Sequence, residues 1–212
     1  MKYGETIFDI AYLVTALVFG ILILKKAKTK AHRQMGRAAL ILGAGDAFHL
    51  IPRIIGYFTA SDLTAALGIG KLITSLTMML FYVYVYYICF NTVGKKADGR
   101  LTAFMYILVC ARFILCAFPQ NGWLTNKSDM LWGIIRNIPF VLLGILTIVL
   151  YVKYRRELSC LKNAWLYITL SFLFYMPVAV FAGVLPILGM LMLPKTVCYV
   201  LLLAAFYRQT AS

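Results

Sequence analysis

Carboxylates are scarce in this chain: seven Asp and Glu stand against 21 Lys and Arg in 212 residues, for a formal net charge of +14. Histidine is rarer still, with only His32 and His49. One of the two lies in an apolar run and nothing at ligand spacing accompanies it, so a zinc site is not expected. The five cysteines, Cys89, Cys110, Cys116, Cys160 and Cys198, form no Cys-x-x-Cys pair. Four lie within or at the end of apolar runs, where a thiol behaves as a small hydrophobe. Cys160 sits in a basic connection expected to face a reducing cytoplasm. Neither a metal nor a disulfide framework follows, and no cofactor is called for. A polar linker is missing too, so residues 1–212 are expected to form a single domain.

What is present is apolar. The chain is 63% hydrophobic and 13% charged, with a mean hydropathy of +0.87. No soluble domain of this size hides that much apolar surface, which places the chain among polytopic membrane proteins. The basic excess does not point to nucleic acid, because most of it lies in short connections between apolar runs.

Runs near the ~20 residues needed to cross a bilayer fall at 6–24, 38–58, 63–91, 101–118, 130–152, 163–186 and 188–207. The fold expected is therefore all-α, with seven transmembrane helices. The last two runs are joined only by Leu185-Pro186-Ile187-Leu188-Gly189, so one kinked re-entrant element is an alternative there. Only Lys2 precedes the first run, while Lys25, Lys26, Lys28 and Lys30 follow it. A cleaved signal peptide carries its positive region in front, so this helix is expected to stay.

The connections alternate in charge. The first, third and fifth carry clusters of Lys and Arg, and Arg208 lies in the tail. The second and sixth carry none, and the fourth only Lys127. Positive residues stay cytoplasmic, which sets the N-terminus outside and the C-terminus inside a cell membrane. Trp123 and Trp132 then fall at the outer interface; Tyr151, Tyr154, Trp165 and Tyr207 fall at the inner one. The tyrosines of the run Phe81-Tyr82-Val83-Tyr84-Val85-Tyr86-Tyr87 are read as part of such an interface belt, on a helix and not on a strand.

Within this frame five basic residues lie inside the apolar runs: Arg53, Lys71, Arg112, Arg136 and Lys195. Counting along each helix puts all five roughly 7–12 Å below its outer boundary. One Arg or Lys at the bilayer centre costs ~2.5–3.5 kcal/mol even on a lenient scale. Asp9 enters the same layer, with Asp46 and His49 one to two turns deeper. Two acids cannot neutralise five bases, so the layer is expected to bind an anion, with Asn137, Thr74 and Tyr175 as further lining residues. Snorkelling to headgroups is the alternative for any single Lys or Arg. Asp46, His49 and Arg53 are spaced i, i+3, i+7 and share a helix face, and Pro52 between them frees a carbonyl near Phe48. Asp46 and His49 are the candidate catalytic or proton-handling pair. The partners expected are membrane lipids and an anionic small molecule or lysolipid.

Gly45-Asp46, Pro52-Arg53 and Gly68 in the next helix resemble the YhhN-type lysoplasmalogenase family over about 40 residues. That resemblance implies hydrolysis of the vinyl ether bond of lysoplasmalogens, with Asp46 at the family's acidic position handling the proton. Family members usually have eight spans and a histidine where Thr74 stands here. A second arrangement is also readable. Pro52 precedes Lys71 by 19 residues, and Pro177 precedes Lys195 by 18. This is similar to the parallel three-helix repeats, joined by a fourth helix, of SWEET-type and PnuC-type transporters, and implies a carrier of a small anionic solute. A third class is a non-catalytic seven-helix sensor. Its retinal-binding version would use Lys195 on the last span but finds no carboxylate on the third.

Overall fold

A computed structural model describes residues 2–126, 129–181 and 185–211, and all of its regular structure is helical. Seven α-helices follow one another: α1 Lys2–Lys25, α2 Lys30–Gly56, α3 Thr64–Val93, α4 Gly99–Ala117, α5 Met130–Tyr154, α6 Ala164–Phe181 and α7 Met192–Ala211. Short 3-10 turns at Pro119–Asn121 and Pro186–Leu191 precede α5 and α7. Lys127, the one basic residue expected in the fourth connection, lies outside the described residues.

The scarce acids set several helix starts. Asp98 accepts from the N–H groups of Arg100 and Leu101 at 2.8 and 3.0 Å, and Asp129 from that of Leu131 at 3.1 Å. Each meets donors that a first helical turn leaves open. Asp62 accepts from the Thr64 N–H at 3.0 Å; its bonds to Thr64 hold its carboxyl below the usual range. Thr29 caps α2 by accepting from the His32 N–H. α3 ends at Gly94 in the left-handed region, φ 72°, where a residue without Cβ meets no penalty.

Consecutive helices pack side by side, and α7 returns to touch both α1 and α2. α3 touches α5 directly, so α1, α2, α3, α5, α6 and α7 close a circle with α4 outside it against α5 and α3. α6 and α7 are distinct helices packed on each other. The core is aromatic where α3 crosses its neighbours. Phe81 meets Tyr199 of α7 at 5.8 Å, and Tyr82 meets Phe140 of α5 at 5.4 Å and Phe172 of α6 at 5.3 Å. The first two are edge-on, a favourable geometry for packed rings, and the third is tilted.

This corrects the sequence reading of the tyrosine run. Tyr82 and Tyr86 are fully buried in the bundle, not placed in an interface belt. Tyr151 is also core, its hydroxyl donating to the Val85 carbonyl at 3.1 Å. The physical reason is that a Tyr hydroxyl is easily satisfied inside a helical bundle, so aromatic position alone does not mark a boundary.

The outer surface is apolar. Ile7, Val14, Val18, Ile107, Ile114 and Leu173 are among its exposed side chains. Among the described residues, six helices are long and apolar enough to cross a membrane, while the apolar stretch of α6 is shorter. The architecture is all-helical and suited to a membrane.

Candidate functional site

The polar side chains of the bundle gather toward the end where α1 begins and α2 finishes. On α1, Glu5, Asp9 and Tyr12 recur at i, i+4 and i+7 and therefore share a face. On α2, Asp46, His49 and Arg53 do the same, and the two faces meet. The Tyr12 hydroxyl donates to Asp46 Oδ2 at 2.5 Å. Arg53 donates to Glu5 Oε2 at 2.6 Å through one terminal nitrogen and to the Tyr57 hydroxyl at 2.9 Å through Nε. Tyr57 in turn donates to the same Glu5 oxygen at 2.6 Å. Burial and that bond push the Tyr57 phenol above its ordinary value.

Glu5 and Tyr12 are the residues that the sequence reading passed over. Their signal was present in the periodicity of α1, but Glu5 stands just outside the predicted run. Its presence changes the charge balance, because Arg53 has a carboxylate partner and does not contribute an unpaired cation.

α7 brings Lys195 to the same region. Its side chain is buried, 7% exposed, with the ammonium over the Tyr175 ring at 4.6 Å and the Tyr199 ring at 5.5 Å. Asp46 lies within its electrostatic reach. His49 feels the charges of Lys71, Arg53 and Lys195 together. Asp9 is buried beside this group, 5% exposed, within range of Arg53 and Asp46.

The other half of the layer is built by α4, α5 and their connection. Arg112 is 2% exposed and donates to the Arg136 carbonyl and to Asn137 Oδ1, the latter at 2.8 Å. Asn137 Oδ1 also accepts from the Tyr175 hydroxyl at 2.7 Å, and its Nδ2 donates to the Gly133 carbonyl at 2.7 Å. Every polar atom of this amide is thereby used. Arg136 reaches back to Asn121 Oδ1 at 2.9 Å and lies over the Trp123 ring at 4.5 Å. Lys71 is exposed and donates to Asn126 Oδ1 at 2.7 Å. Asn121 and Asn126 are loop residues with no periodic signal, so sequence spacing could not reveal them. Tyr175 links the halves, since its hydroxyl meets Asn137 and its ring meets Lys195.

Thr74 stands apart from this chemistry. Its hydroxyl donates to the Gly45 carbonyl at 3.0 Å, which makes it a fastener between α3 and α2.

The fate of each acid is thus known: Asp98 and Asp129 cap helices, Asp62 accepts from the Thr64 N–H before α3, Glu157 pairs with Lys95, and Glu5 pairs with Arg53. Only Asp9 and Asp46 remain for the interior. The five buried side-chain atoms without a hydrogen-bond partner among the described residues include Asp9 Oδ2, His49 Nδ1 and Arg112 Nε. Three such atoms in one polar layer are unusual in a packed interior, where polar groups find partners or ordered water.

No family model, curated protein or solved structure matches this chain. The site has to be read from its own geometry. Among the described residues no group of three metal-ligating side chains comes together. An apolar groove of about 250 Å³ lies on α2, lined by Ala47, Phe48, Ile51 and Pro52. At 100° per residue its centre is on the opposite side of the helix from Asp46, His49 and Arg53, so it does not open onto the polar cluster.

Proposed function

We propose that this chain is a seven-span integral protein of the cell membrane, N-terminus outside and C-terminus inside, that binds an anionic amphiphile or metabolite through the basic layer in the outer half of the bilayer. The observation that carries this reading is the pairing of the basic residues. Among the described residues, Arg112, Arg136 and Lys71 meet only neutral oxygen acceptors and aromatic faces. Lys195 meets two rings, and Asp46, within its electrostatic reach, is hydrogen-bonded by the Tyr12 hydroxyl. Charges that enter a low-dielectric region are retained there when something pairs with them. An anionic headgroup or carboxylate fits that role, with Lys71, Arg136 and Lys195 contacting it and Arg112, Asn137 and Tyr175 holding them in place. Arg53 acts in this reading as the structural partner of Glu5.

Within the YhhN-type resemblance, Asp46 would exchange the proton and the bound anion would be a lysolipid phosphate. The Tyr12 hydroxyl held at 2.5 Å would orient that carboxyl, and His49 stands one turn away. A second reading is favoured by the packing order. α1, α2 and α3 pack in sequence, α5, α6 and α7 pack in sequence, and α4 lies outside the circle. This supports a three-plus-one-plus-three carrier.

The test is a thermal-stability screen of purified protein with a lysophosphatidyl lipid, the matching uncharged monoacylglycerol, and small dicarboxylates. A rise in Tm with one anionic class, lost in Lys195→Gln, supports the site. Equal shifts with the uncharged lipid sink it. Release of a fatty aldehyde from a lysoplasmalogen identifies the hydrolase, and uptake into proteoliposomes identifies the carrier.

A further inference from the structure

At the opposite end of the bundle, the connection between α5 and α6 folds into a groove of about 500 Å³ that the outer layer does not explain. Arg155, Arg156, Ser159, Lys162, Asn163 and Trp165 line it. All but Trp165 are exposed; Trp165 is half-buried. Among the described residues, the side chains of Arg155, Arg156 and Lys162 make neither a hydrogen bond nor an ion pair, and only backbone bonds engage Arg155 and Lys162. The one acid of this connection is turned away, since Glu157 accepts from Lys95 Nζ at 2.8 Å across the surface. The same bond holds the Lys95 ammonium above its ordinary range. Ser159 is anchored by its bond to Gln209 Oε1 at 2.9 Å, and the Cys160 N–H donates to the same oxygen at 3.2 Å. Those two bonds tie the loop to the end of α7, so the groove is shaped by the fold.

The start of α6 borders this groove through Asn163 and Trp165. The N–H groups of Ala164, Leu166 and Tyr167 are taken by the Leu161 and Asn163 carbonyls, so the attraction of the groove for an anion rests on the three basic side chains that line it. Arg contributes a planar, bidentate donor set suited to phosphate oxygens, and Lys contributes a point charge. The volume lies within the range of small-ligand pockets. Trp165 at the edge offers an amphipathic ring of the kind found at headgroup level.

We propose that this groove is a phosphate-binding site, with Arg155, Arg156 and Lys162 holding a phosphoryl group at the mouth of α6. The group can belong to an anionic phospholipid of the adjoining leaflet or to a soluble phosphate compound. The site is separate from the outer basic layer and stands or falls without it.

The experiment compares three forms of the full chain: wild type, the triple variant Arg155→Gln/Arg156→Gln/Lys162→Gln, and a control triple, Lys25→Gln/Lys28→Gln/Lys30→Gln. The control removes the same charge from the same end of the bundle. Native mass spectrometry counts short-chain phosphatidylglycerol and phosphatidylcholine retained by each form, and a parallel titration uses inorganic pyrophosphate. Phosphatidylglycerol is expected to bind wild type at least tenfold more tightly than phosphatidylcholine. The groove variant loses that preference while the control keeps it within twofold. If pyrophosphate binds with the same variant pattern and phosphatidylglycerol does not, the site is assigned to soluble phosphates. An equal loss in the control shows diffuse attraction and overturns the proposal, as does a groove variant that binds like wild type.

Discussion

Asn137 is the residue on which the basic layer depends most. Its amide oxygen is shared by Arg112 and Tyr175, and its nitrogen is tied to the helix behind it. Asn137→Ala takes from a buried guanidinium one of its two acceptors, leaving it the Arg136 carbonyl, and takes from the Tyr175 hydroxyl its acceptor. Hydrogen bonds to charged groups contribute ~1.5–3 kcal/mol, and an orphaned buried partner adds its own desolvation cost. A loss of about 3 kcal/mol is expected, read as a lowered unfolding midpoint in detergent. Glu5→Gln makes the contrast. Its salt bridge with Arg53 is part-exposed, with side chains 29% and 20% accessible, and solvent screening limits such pairs to ~1 kcal/mol or less. If Glu5→Gln costs more than Asn137→Ala, the layer is organised around α1 and α2 and not around α5.

At the scale of the helices, close approach is set by small residues. A Cβ on Gly68 would overlap the Trp123 carbonyl oxygen, and one on Gly70 would overlap the Phe48 carbonyl oxygen. Both obstacles are backbone and cannot swing aside. Gly70→Ala must therefore separate α3 from α2, and Gly68→Ala must push the α4–α5 connection off α3. Forced overpacking of this kind costs ~1–3 kcal/mol. Gly99→Ala, with nothing within 4 Å, should be neutral or slightly stabilising. Thermal unfolding of the three variants checks the order, and equal effects would contradict the packing of α2 on α3. The positions of the helices were legible, since long apolar runs mark them, and so was the polar face of α2, since i, i+3, i+7 spacing is visible in a string. The Glu5–Arg53 pair was readable from α1 periodicity but was masked by its place at the chain start. Asn121 and Asn126 were not readable. Their role depends on a connection folding back over α3 and α5, which no local pattern encodes. The buried tyrosines of α3 misled for a related reason: whether a Tyr hydroxyl meets water or the Ser171 and Thr102 hydroxyls is decided by tertiary packing.

For the molecule as a whole, the proposed orientation makes a simple demand. In a Cys160→Ala background, Ser61→Cys should react with a membrane-impermeant maleimide added to intact cells. In the opposite case, Ser159→Cys should react only after the membrane is opened. The reverse pattern would invert the topology and place the basic layer of α2, α3, α4, α5 and α7 in the inner half of the bilayer. Whichever orientation that labelling gives, the central claim is that this layer binds an anion. Arg112→Ala is a poor probe, because Arg112 is wedged between Arg136 and Asn137 and its loss conflates folding with binding. Lys195→Gln and Arg136→Gln are better, since one ammonium lies on rings and the other cation spans a loop amide and a tryptophan. The decisive measurement is native mass spectrometry of gently solubilised wild type beside these two variants. The account predicts an anionic adduct that survives delipidation in wild type and disappears in both variants while their unfolding midpoints hold. A wild type that carries no specific adduct, or variants that keep it unchanged, would contradict the claim and leave the five basic residues as anchors of the helices that carry them.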